Sequence, residues 1–188
     1  QGFVDASSAL GVTLTPLPPG PQGRLDRATK LRVMLTSGAT LTSVSRLKLL
    51  SGSNIAVVQS PDGAWEVLQF EMATLVAANT YELSGLLRGQ AGTEGAMAAT
   101  ALAAGAPFVS LGSGLTPLDL GAGDIGLPYR WRIGPSSRDL GHPSYLELAH
   151  AFLGVGARPL SPVHVRGQRT SGDLTVSWIR RTRSGGDS

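Results

Sequence analysis

Apolar and polar positions alternate with a period of two over most of this chain, in runs too short for long helices. Residues 3–14 (FVDASSALGVTL) predict one strand, from short alternation and the β-branched Val4, Val12 and Thr13. KLRVMLTSG, from residue 30, sets Leu31, Val33 and Leu35 inward against Lys30, Arg32 and Met34. TSVSRLKLLSGSNIAVVQ then reads as two further strands about a turn at Ser51–Asn54. Asp62–Gly63 is the next turn signal. Beyond it a hairpin is predicted, Trp65–Leu75 with Tyr81–Leu87, interrupted at Asn79–Thr80. Trp65, Val67 and, with a shift, Phe70 and Met72 form its apolar set among Glu66, Gln69 and Glu71.

Elsewhere the alternation fails in informative ways. PLPPGPQG, at 16–23, is a loop or polyproline-like connector, because its four prolines lack donors and fix the backbone. Residues 96–104 are Ala-rich and precede Gly105, which predicts a short helix. PFVSLG at 107–112 returns to strand, 115–128 is irregular, and YRWRI at 129–133 is a short strand. Residues 143–153 admit two readings: Ser144 and Glu147 match a capping box, yet an edge strand fits equally. RPLSPVH at 158–164 is a linker. After it comes a strand, a turn at Ser171–Gly172–Asp173, and a strand with Leu174, Val176 and Trp178 on one face. On that strand Trp178 reads as a core residue flanked by solvated arginines.

Composition narrows this picture. The 188 residues include 25 Gly and 12 Pro, which excludes helical bundles and coiled coils. With 41% hydrophobic residues the chain can bury a core. There is no Cys, so disulfide scaffolds, thiol catalysis and iron–sulfur ligation are excluded. Residues 1–128 hold seven Lys/Arg against nine Asp/Glu, a net of −2; residues 129–188 hold nine Arg against four acids, a net of +5. The basic residues are 14 Arg and two Lys, Lys30 and Lys48, so the C-terminal part would suit a polyanion-facing surface, although the Arg-for-Lys bias is read first as that of a GC-rich genome. No apolar run reaches membrane-spanning length, and the first residues lack the regions of a signal peptide.

The motifs that carry chemistry elsewhere find little context here. Gly121–Gly126 reads GAGDIG, the letters of a dinucleotide loop, but a β-like segment comes after it where a helix is needed. His142, His150 and His164 lack metal-ligand spacing. Ser110, in FVSLG, lacks the first Gly of a nucleophile elbow. Glu66 and Glu71 have opposite strand parity, and Asp119 with Asp124 sits in a loop, so neither pair predicts a glycosidase site. No catalytic, cofactor or metal residue is expected. Tyr129, Arg130, Trp131 and Arg132 mix rings with guanidinium groups and form a candidate surface contact.

The most distinctive stretch is YELSGLLRGQAGTE at 81–94, preceded by WEVLQF at 65–70 and followed by GAPFV at 105–109. It resembles tail-tip proteins of long-tailed phages, and most closely the large baseplate hub protein ("megatron", or host-specificity protein) of gene transfer agents. RPLSPVH followed by Val176–Ser177–Trp178 resembles the start of a fibronectin type III-like module. In physical terms, Gly85, Gly89 and Gly92 let a strand turn sharply. Arg88 either pairs with Glu94 or a carbonyl, or is a solvated charge. Leu86, Leu87, Arg88, Gly89, Gly92, Thr93 and Glu94 are therefore expected to maintain the fold, since they offer neither nucleophile nor base.

These readings predict a mainly β protein of antiparallel strands with one short helix. A β-rich domain spans 1–157, and 158–188 begins an incomplete fibronectin type III-like module. The resemblance implies a structural, non-enzymatic part of a baseplate hub, homotrimeric in its parent assembly. It would contact other tail proteins and an envelope receptor or polysaccharide, and no nucleic acid. It implies a particle tail tip assembled in the bacterial cytoplasm. The alternatives are a carbohydrate-binding module, using Tyr129, Trp131 and the arginines, or a glycan-cleaving domain.

Overall fold

The computed structural model describes residues 8–36, 38–97, 101–112 and 118–183. Six strands close into a barrel: β1 (Ala9–Thr13), β2 (Leu31–Leu35), β3 (Ile55–Gln59), β4 (Trp65–Ala77), β5 (Thr80–Gln90) and β6 (Pro107–Ser110). Their order is β1-β2-β5-β4-β3-β6, every pairing is antiparallel, and β6 bonds both β1 and β3 to complete the circuit. Closure removes the free strand edges that an open sheet would present. The protein is mainly β, as its alternation predicts.

The barrel is filled by Leu31, Val33 and Leu35 of β2, Ala56 and Val58 of β3, Leu68 and Phe70 of β4, Tyr81, Leu83 and Leu86 of β5, and Phe108 of β6. The inward set predicted for β2 holds. For β4 it holds at Phe70, which is buried, but not elsewhere: Glu66 and Leu68 are buried, whereas Trp65 is 38% exposed and Met72 46%. The apolar parity of β4 is thus inverted at its start because a charged residue, Glu66, takes the inward position.

Three further expectations are corrected. The segment read as a strand before Ser51 instead forms the helix α1 (Arg46–Leu50), whose N-cap Ser45 accepts a hydrogen bond from the Lys48 amide. Buried Leu49 is its anchor, and Gln69 Nε2 of β4 donates to the Leu49 and Ser53 carbonyls at 2.7 and 2.8 Å. The helix expected over 96–104 is absent where it is described. Leu102 forms an antiparallel bridge with Leu17, so tertiary pairing overrides alanine propensity. Residues 98–100 of that expectation, 3–7 of the first predicted strand, 115–117 of the predicted irregular stretch and 184–188 of the last module lie outside the described residues. Finally, the predicted linker is partly strand, since the last hairpin starts at Leu160.

Two hairpins come after the barrel. β7 (Pro128–Ile133) pairs with β8 (Leu146–Ala151), so the ambiguous segment is a strand. β9 (Leu160–Thr170) pairs with β10 (Asp173–Arg181) around a Ser171–Gly172 turn with both φ positive. No second layer covers β9 and β10 among the described residues. Trp178 is consequently 57% exposed rather than part of a core.

Candidate functional site

The LLRGQAGTE run occupies the end of β5 and the turn after it, at one end of the barrel. Its central feature is a buried ion pair. Arg88 Nε and Nη2 donate to Glu66 Oε1 and Oε2 at 2.6 and 2.8 Å, with the two residues 2% and 5% exposed. The Gly89 amide adds a third bond to Glu66 Oε1 at 3.1 Å. Arg88 Nη1 reaches across to the Pro18 carbonyl at 2.8 Å. Each charge in this low-dielectric site has a bidentate partner, which is the condition for tolerating its burial. The pairing with a carbonyl is as expected. The carboxylate is Glu66 rather than Glu94, and Arg88 is not a solvated charge.

A one-residue register shift between β4 and β5 makes this arrangement possible. Val67 pairs with Gln90 and Gln69 with Leu87, so β5 carries an extra residue there. Gly89 accommodates it with φ of 56°. Arg88 therefore points inward, and the proline-rich segment 16–23 lies over it. Leu17 bridges Leu102, Gln22 bridges Arg88, and Asp26 bridges Leu86. A Cβ on Gly20 would stand 2.9 Å from Arg88 Cγ, so only glycine lets the strap lie this close. The Asp26 carboxyl is pushed up by burial. Hydrogen bonds from Thr29 and the Ala28 amide, with the nearby Arg88 charge, outweigh that and hold it below the ordinary value.

The space left open beside the pair is a cavity of about 10 Å³ lined by Leu17, Val58, Glu66, Arg88 and Leu102. That is at the lower limit for a single water, so no ligand fits. A larger groove of about 420 Å³ lies between Gln59–Gly63 and Leu102–Pro107, and its lining has no titratable side chain. Among the described residues no three His, Asp or Glu side chains gather as a metal site would require.

The rest of the motif joins the barrel to the C-terminal hairpins. Thr93 Oγ accepts from the Val67 amide at 2.9 Å and donates to the Gln90 carbonyl at 2.7 Å, fixing the turn. Leu86 is buried in the core and Leu87 is half-buried. Gly92, with φ of 84°, packs so tightly on the Val155 carbonyl that a Cβ would come within 2.1 Å of that oxygen. Glu94 pairs with Arg183, just beyond β10. The seven motif residues thus lie together, building the end of the barrel and its junction with the C-terminal segments.

The candidate surface contact lies on β7. Tyr129 and Trp131 are half-buried, with ring centroids 5.9 Å apart and planes tilted by 48°. The Tyr129 hydroxyl donates to Asp124, which also accepts from the Gly121 amide at 2.7 Å. These bonds hold the Asp124 carboxyl below its ordinary value, and the same contact raises Tyr129. So GAGDIG is a capped turn leading into β7, with no helix after it. Arg130 and Arg132 both reach Glu147 of β8, at 3.2 and 3.3 Å. By strand alternation the two arginines share one face of the hairpin and the two rings the other.

A closed barrel whose most distinctive motif is consumed by an internal ion pair, a strap and a junction is a β module in which that motif serves the fold itself. Residues 8–109 match the family described as Rcc01698-like, C-terminal. The chain belongs to that family, which is associated with the gene transfer agent of Rhodobacter capsulatus. No curated protein matches the chain. The family match covers the whole barrel from β1 into β6. No helix of the described residues is long and apolar enough to cross a membrane.

Proposed function

We propose that this chain is a structural module of a phage-like tail baseplate hub. In this reading it serves tail-tip assembly and attachment to, or penetration of, a recipient cell envelope, with no chemistry of its own. Membership of a gene-transfer-agent-associated family over the barrel carries the proposal. The motif geometry supports it, because Arg88, Glu66 and Thr93 are committed to internal bonds. In the same reading the parent assembly is homotrimeric, and its neighbours are other tail proteins. Particles carrying an epitope tag on this segment test the reading: the tag should co-sediment with intact particles and decorate one end of the tail in electron micrographs. Label on the head, or only in the soluble fraction, would refute it.

A second reading has one observation in its favour: Tyr129 and Trp131 stand side by side, partly open to solvent, as rings that hold a sugar often do. The arginines do not join them, since both are turned to Glu147 on the opposite face. A glycan site here would therefore select for ring stacking rather than for acidic sugars. Trp131→Ala should abolish retention on envelope polysaccharide if this reading holds; unchanged retention removes it.

A further inference from the structure

The proline-rich strap crosses the end of the barrel between two firm hinges. At the first, the Leu14 amide donates to the Arg32 carbonyl at 2.7 Å, and Thr15 Oγ1 accepts from the Arg32 amide at 2.9 Å. At the second, Asp26 and Leu86 exchange both backbone bonds, at 2.8 and 2.9 Å. Between the hinges the hold is sparse. Pro16, Pro18, Pro19 and Pro21 have no amide hydrogen, so within 16–21 only Leu17 and Gly20 have one to donate. Leu17 exchanges both backbone bonds with Leu102, at 2.8 and 2.9 Å. The Gly20 amide meets the Met97 sulfur at 3.3 Å, and a thioether is a weak acceptor. From beneath, Arg88 Nη1 donates to the Pro18 carbonyl at 2.8 Å. Leu17 is the one buried apolar side chain of 16–25, while Pro18, Pro19, Gln22, Gly23 and Arg24 face solvent.

What lies under the strap sets how it moves. A loop seated on apolar surface lifts only by exposing that surface to water. This one is seated on the Glu66–Arg88 pair, whose members are 5% and 2% exposed beneath it. Lifting it returns water to two charges that are costly to bury, and their bidentate pairing survives the move. That hydration offsets the bonds given up to Leu102 and to the Pro18 carbonyl. Four prolines also fix their own backbone angles, so the segment swings as a stiff piece rather than unravelling.

We propose that residues 16–25 form a latch that opens as a unit while the barrel stays folded, uncovering the Glu66–Arg88 pair. This goes beyond the proposed role in a tail baseplate and does not depend on it. Native-state hydrogen exchange in increasing urea tests it. The Leu17 and Leu102 amides, which bond across the latch, should exchange together and at least about a hundredfold faster than the β2 amides. Their rate should barely respond to urea below the unfolding transition, because opening exposes little apolar area, whereas the β2 rates should climb steeply. Gly20→Ala sets a methyl 2.9 Å from Arg88 Cγ at a residue without positive φ, and should speed both latch amides about tenfold with β2 unchanged. In Glu66→Leu/Arg88→Met the seat is apolar, and the latch amides should take on a urea dependence. Leu17 and Leu102 amides that share the rate and urea slope of β2, in wild type and Gly20→Ala alike, overturn the latch. So does separate exchange of the two, which is fraying at single residues. A slope that stays flat over the apolar seat overturns the role given to the buried charges. The particle role is decided separately, by the tag's co-sedimentation.

Discussion

The barrel and the C-terminal hairpins are made of similar alternating strands, yet every buried apolar side chain among the described residues lies between Leu17 and Phe108. β7 to β10 leave Ile133, Leu146, Leu174, Val176 and Trp178 exposed. The difference is closure. Six strands joined in a ring enclose a volume that side chains can fill, whereas two strands have no inside. The hairpins therefore depend on the elements they touch. Their anchor is the turn after β5, through Gly92 against Val155 and Glu94 with Arg183. One short motif serves both regions: Arg88 locks the barrel, and four to six residues later the same run holds the hairpins to it.

Breaking the lock should give the largest effect. Arg88→Met leaves the Glu66 carboxylate buried without a cation, which costs about 3–5 kcal/mol by comparison with other buried pairs. Urea unfolding should register that loss as a lower midpoint with an unchanged slope. The double variant Glu66→Leu/Arg88→Met, apolar at both positions, should recover most of it. Simple additivity of the two single losses would mean the pair is not what makes Glu66 tolerable inside the barrel.

Gly92→Ala strikes the junction. The added Cβ meets the Val155 carbonyl at 2.1 Å, and the residue must keep a φ of 84°. A cost of about 1–3 kcal/mol is expected from backbone strain and forced separation. The loss should be local: amide exchange should quicken across 154–183 while the β2 and β5 amides keep their protection. Uniform loss of protection would show that barrel and hairpins unfold as one, with no boundary between them.

Much of the barrel is legible in the sequence. Leu31, Val33 and Leu35 declare β2, and the long hairpin is visible from its alternation and its break, although the turn itself is Ala78–Asn79. Glu66 is not legible. A carboxylate at a core position looks outward until its cation is known, and Arg88 lies 22 residues away in a segment that looks like a turn. The helix α1 carries a usable signal, since Ser45 precedes it as an N-cap, but Leu47, Leu49 and Leu50 in a five-residue element mimic a strand. Residues 101–104 show the reverse: local composition favours helix, and the bridge from Leu17 to Leu102 decides otherwise.

Acid should act on the barrel through the strap. Asp26 has a folded pKa below its unfolded value, since the hydrogen bonds it accepts outweigh its burial. Its contribution is then fully present above the unfolded value of about 3.9 and fades as pH falls through the lower folded value. Asp26→Asn should therefore weaken the protein at neutral pH and flatten its stability profile below about pH 4. A wild-type profile as flat as the variant's would remove Asp26 from the strap's support.

The smallest effect is expected in the last hairpin. Trp178 is the bulkiest apolar residue of β10, and in a sandwich its loss would open a large cavity. Here it is 57% exposed, so Trp178→Ala should change unfolding free energy by no more than about 0.5 kcal/mol. Phe108, 1% exposed on β6, is the matched control, for which truncation should cost about 3–5 kcal/mol. Indole fluorescence sharpens the contrast in a Trp65→Phe/Trp131→Phe background, because Trp178, then the sole indole, should emit near the wavelength of free indole in water and be readily quenched by iodide. A blue-shifted, protected emission with a loss comparable to that of Phe108→Ala would mean that β9 and β10 acquire a second layer in solution, and the hairpin would then have an inside after all.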